Sequence, residues 1–180
     1  MNAVPFPLGP CVLLLVIMAA VLDWRTRRIP NWLVATGWLA ALPAQWMVHG
    51  AVGGMSVWAA GCLVGGLIFL PGYLLRAVGA GDVKLMAAVG AYFGATGAIE
   101  VAMIACATGG IWALALLVIR RRMKAGLANT FSMLLSAAGG LRQVAQQGEV
   151  MRALSVGRLP FGVAIAIGTV GTIALTVQFQ

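Results

Sequence analysis

Six apolar runs follow one another along the chain, at about residues 8–23, 31–49, 52–75, 83–96, 98–119 and 159–177. All 12 lysines and arginines fall near the gaps after the first, third and fifth runs, while the gaps after the second and fourth contain none. A soluble domain carries about 25% charged residues. Here 9% of the 180 residues are charged, 62% are hydrophobic and mean hydropathy is +0.99, which leaves no residues for an aqueous face. The pattern predicts an all-α, polytopic membrane bundle of six spans, read as a single domain over 1–180. Basic gaps stay on the cytoplasmic side, so both termini are expected outside. A net charge of +8 would suggest nucleic acid in a soluble chain. In this setting it reports topology, so the expected environment is the lipid bilayer, with no nucleic-acid partner.

The first seven residues hold no lysine or arginine, so they lack the basic start of a cleavable signal peptide. After the first run, Ile29-Pro30-Asn31 turns the chain, because proline fixes its own φ and disfavours helix in the residue before it. The third run carries Gly54, Gly61, Gly65 and Gly66. Small residues let membrane helices approach closely, so this helix is expected at the centre of the bundle. Residues 125–158 form the one sizeable polar insert. Leu127, Phe131, Leu134, Leu135, Ala138 and Leu141 recur at helical spacing, which predicts an amphipathic helix on the cytoplasmic membrane surface. Cys11, Cys62 and Cys106 are isolated within apolar stretches and His49 stands alone. Neither a disulfide framework nor a metal site is expected, and the cysteines read as small core residues. No cofactor is expected.

Only four acids occur, and two of them stand where apolar runs meet the basic side. Asp23 ends the first run, ahead of Arg25, Arg27 and Arg28; Asp82 lies within Gly79-Ala80-Gly81-Asp82-Val83-Lys84. An ionisable side chain at the edge of hydrocarbon is costly, which marks it for function. Two carboxylates held close together share a proton and titrate as a unit. One can then accept a proton from an attacking water while the other donates to a peptide carbonyl. Taken singly, each acid also has a bland reading: Asp23 as an ion-pair partner of the arginines, Asp82 as a helix N-cap. Together on one membrane face they favour a hydrolytic pair. Glu100, on the opposite side, reads as a capping or interfacial residue.

At these residues the chain resembles the type IV prepilin peptidases, membrane aspartyl proteases with a GxGD motif. The matching elements are Asp23 followed by Ile29-Pro30-Asn31, then Gly79-Ala80-Gly81-Asp82-Val83-Lys84, then Pro160-Phe161-Gly162 opening the last run. The resemblance implies that Asp23 and Asp82 are the catalytic pair. It implies supporting or substrate-binding parts for Gly79, Gly81, Lys84, Arg28, Pro30, Asn31, Pro160, Phe161 and Gly162. The implied substrate is a prepilin, cut at the cytoplasmic face of the bacterial inner membrane between a short basic leader and a hydrophobic helix. Larger members carry a cytoplasmic insert with paired cysteines and methylate the new N-terminus. This chain has neither after its first run, so it looks like the compact, peptidase-only branch associated with Flp-type pili (the TadV/CpaA kind). A competing reading is a small transporter, or a non-catalytic subunit of a pilus or secretion machine, using the acids as a proton relay.

Overall fold

The computed structural model describes residues 7–74, 78–119 and 161–178. Among them are four helices and no strand: α1 (Leu8–Thr26), α2 (Asn31–Leu74), α3 (Ala80–Ile119) and α4 (Phe161–Gln178). Arg27 ends α1 by adopting the left-handed conformation (φ 51°, ψ 31°), and its N–H still donates to Asp23 O at 2.8 Å. Pro30 then precedes the first residue of α2, where a missing N–H and a fixed φ are well tolerated.

Six separate runs appear as four helices because the two uncharged gaps are single-glycine reversals inside α2 and α3. Gly50 (φ 73°, ψ 173°) and Gly94 (φ 73°, ψ −174°) take backbone angles that side chains rarely allow. In a continuous helix, residues 45 and 54 would lie about 13 Å apart along the axis. Instead, a Cβ placed on Gly54 would stand 2.7 Å from the backbone of Gln45. Likewise a Cβ on Gly90 would reach within 3.3 Å of Ala98 Cβ. Each long helix therefore doubles back on itself. The limb of α3 before Gly94 rises roughly 21 Å, well short of a hydrocarbon core about 30 Å thick. By length and composition, α1, α2 and the Ala80–Ala115 stretch of α3 are long and apolar enough to cross a membrane, while the apolar stretch of α4, Phe161–Leu175, is shorter.

The two hairpins pack on each other more extensively than any other pair of helices, and α4 lies against α3 and then α1. Lipid tails are as apolar as leucine, so close backbone approach replaces the hydrophobic effect as the source of helix association. A Cβ on Gly61 would lie 1.9 Å from Gly90 O, one on Gly90 would lie 2.2 Å from Gly61 O, and one on Gly65 would lie 2.5 Å from Met86 O. The third run is close-packed at Gly61 and Gly65, but Leu63, Leu67 and Leu70 beside them are exposed and the more deeply buried limb is that of residues 85–92, so the expectation of a central third run is corrected. Gly66 has ordinary space beside Ala87. On α4, Gly168 faces Val101 O in the same way, at 2.7 Å from a built Cβ.

The reversal at Gly94 interrupts the helical ladder, so the carbonyls just before it lose their usual partners four residues on. Gln45, fully buried, reaches across from α2 and donates Nε2 to Ala91 O at 2.9 Å and Tyr92 O at 3.0 Å. Tyr92 in turn donates its hydroxyl to Gly37 O at 2.7 Å. Two expectations need correction or fall elsewhere. Cys11 and Cys106 are exposed on the outer, apolar surface of the bundle and are not core residues, while Cys62 is half-buried and packs against the core. The insert at 125–158 and Pro160 lie outside the described residues.

Candidate functional site

Asp23 sits one turn before the end of α1, because the helix continues past the apolar run to Thr26. Its side chain is 6% exposed. Oδ2 accepts the N–H of Gly162, the second residue of α4, at 2.9 Å. The first N–H groups of a helix have no partner within it and carry the positive end of its dipole, so this helix start suits a carboxylate. Gly162 fits because it has no side chain. A Cβ there would stand 2.9 Å from Asp23 Oδ2 and 3.1 Å from Asp23 Cβ. The neighbouring Phe161 turns toward Phe69 of α2, edge to face with ring centroids 5.7 Å apart, and closes the other side of Gly109. No arginine pairs with Asp23 among the described residues; Arg25, Arg27 and Arg28 are exposed. The ion-pair reading of Asp23 is thus reduced to a longer-range attraction, since Arg27 is near enough for its charge to act on the carboxylate without a direct salt bridge.

Asp82 is the third residue of α3, half-buried rather than enclosed. Its Oδ2 accepts the N–H of Gly79 at 3.1 Å, while Gly79 O accepts the N–H groups of Asp82 at 3.1 Å and Val83 at 3.3 Å. This is half of a capping box, in which the third helical side chain reaches back to the residue before the helix. Asp82 is thus not itself the N-cap. Its charge and that of Asp23 are close enough to act on each other. In each carboxylate, Oδ2 is held by a glycine N–H, and Oδ1 has no partner among the described residues.

The remaining motif residues join the two acids. Gly81 lies under Ile29, whose Cβ would be 3.3 Å from a Cβ built on the glycine. Lys84 donates Nζ to Asn31 Oδ1 at 3.1 Å. Pro30 accepts the N–H of Val34 at 3.4 Å and sits between these contacts. Arg28 is exposed, its side chain engaging no described residue. Among the described residues no cluster of three or more His, Cys, Asp or Glu side chains comes together. Sequence reading missed Phe69, which carries no local signal, and Gln45, an amide within an apolar run that could have been found by its polarity alone.

No curated protein and no solved structure matches this chain. A family model described as the type IV leader peptidase family matches residues 11–114. That stretch contains Asp23, Ile29-Pro30-Asn31 and the whole Gly79–Lys84 motif, and it ends before Gly162. It covers more than half of the 180 residues, and its apolar helices suit a membrane protease. The chain belongs to the type IV leader peptidase family.

Proposed function

We propose that this protein is an aspartyl endopeptidase that removes the short basic leader from a prepilin, with Asp23 and Asp82 as its catalytic pair. The observation that carries the reading is the matched placement of the two acids. They come from different helices, each is fixed through Oδ2 by a glycine N–H, and in each Oδ1 has no hydrogen-bond partner among the described residues. One carboxylate takes a proton from water as the water oxygen bonds to the scissile carbonyl carbon. The other, protonated, gives its proton to the carbonyl oxygen. Collapse of the tetrahedral intermediate breaks the C–N bond, and a proton passes to the leaving amine. The first carboxyl supplies that proton, the one it took from water, and the second recovers its own from a hydroxyl of the intermediate as the carbonyl re-forms, so the pair returns to its starting state.

Each limb of α2 and α3 crosses the bilayer once in this reading, as do α1 and α4, giving six spans with the termini outside. Both acids then stand at the cytoplasmic face of the inner membrane, where a polar leader meets a membrane helix. The basic links near Asp23 and Asp82 support that orientation. The lack of a cysteine-paired insert after α1 favours a peptidase-only enzyme acting on Flp-type substrates. Co-expression with a prepilin and a gel-shift assay tests the proposal. Asp23→Asn and Asp82→Asn should each abolish leader removal while the protein still accumulates in the membrane. Normal processing by either variant would falsify the two-aspartate mechanism.

A further inference from the structure

Asp23 and Asp82 ride on α1 and α3, and among the described helices that touch, this pair touches least. Helix packing alone therefore does little to set one acid against the other. The chain that leads from α1 into α2 supplies a contact at two points, one in the linker and one at the first residue of α2. Ile29 lies on Gly81, and Asn31 Oδ1 accepts Lys84 Nζ at 3.1 Å. Both points fall within two residues of Asp82 on α3, and both come from the short stretch of chain that connects the end of α1 to the start of α2. Lys84 stands two positions beyond Asp82, and side chains at that spacing leave a helix in different directions. Its ammonium accordingly reaches the start of α2 and makes no ion pair with Asp82.

We infer that Asn31 and Lys84 act as one clasp, a pair of positioning residues that sets the approach of Asp82 to Asp23. The inference rests on the reading of these two acids as the catalytic pair. Ile29 and Gly81 give the clasp its close fit, and the Asn31–Lys84 bond gives it direction. A catalytic carboxylate displaced by about 1 Å costs on the order of a hundredfold in rate. The clasp should thus act on turnover, with substrate affinity little changed.

The test uses the full chain in membranes with a prepilin substrate, measuring kcat and KM separately. Asn31→Ala and Lys84→Met should each lower kcat about tenfold or more, with KM within about twofold of the parent. The double variant should lose no more than the worse single one, because both remove the same contact. Asn31→Asp should recover most of kcat, since its carboxylate accepts from the same ammonium. Independent, multiplying losses overturn the clasp, as does a loss confined to KM, which would place Lys84 against substrate instead. If alanine at position 31 prevents accumulation, Lys84→Arg against Lys84→Met decides: recovery with arginine supports the clasp, and equal kcat for the two overturns it. Asp82→Asn runs alongside. Cleavage surviving in that variant overturns the two-aspartate reading, a result distinct from any lack of coupling between Asn31 and Lys84.

Discussion

Asp23 and Asp82 are held by the same kind of bond from opposite kinds of place. The glycine that donates to Asp82 is three residues before it, and the start of α3 forms the contact on its own. The glycine that donates to Asp23 is 139 residues away, on α4, and reaches it only when α1 and α4 pack together. The first acid is enclosed and the second half-open, so one is fitted by the tertiary fold and the other by local chain geometry. The contrast separates rigid placement from local capping within a single pair of carboxylates. It also says where each half should be vulnerable.

The sharpest attempt to break that contrast is Gly162→Ala. The added methyl would meet Asp23 at 2.9 Å from Oδ2 and 3.1 Å from Cβ, so α4 or the carboxylate must move. Leader cleavage should fall about a hundredfold or more in the purified, folded variant. Near-normal cleavage would mean that α4 yields, and that the distant partner is no more rigid than the local one.

A smaller effect is expected where the fold carries Asp82 as a whole. In Gly61→Ala the new Cβ would lie 1.9 Å from Gly90 O, forcing the two hairpins apart. Thermal unfolding in detergent should show a loss of about 1–3 kcal/mol, as for other overpacked contacts. Unchanged stability would show that the hairpins slide past each other freely, and would remove the rigid base assumed for α3.

Gly79→Ala should be the mildest. Its methyl would approach only the tip of Asp82, at 3.0 Å from Oδ2, which can rotate slightly while Gly79 keeps its N–H. Cleavage should stay within about threefold of the parent, in line with the small cost of substitutions outside rigid cores. A loss as deep as that of Gly162→Ala would erase the distinction between the two acids.

Much of this protein is written in local chemistry. Apolar runs with basic residues in alternate gaps announce helices that leave water, because no soluble face can be made from so few charges. Asp23 and Asp82 stand out for the same reason, as rare acids at the ends of apolar runs. The local hold of Gly79 on Asp82 also lies within one helical turn, where spacing along the chain sets spacing in space. Gly50 and Gly94 are different: a glycine permits a reversal without demanding one, so only the packed hairpins decide that the two uncharged gaps close to single-glycine reversals. Which glycines meet backbone, Gly61 and Gly65 but not Gly66, depends on the rotation and crossing of two helices. The N–H of Gly162, the reach of Lys84 to Asn31 and the capping of Ala91 and Tyr92 by Gln45 all join residues far apart in the chain. Such directional contacts appear only after helices have docked, because periodicity records which residues leave water and not which of them meet.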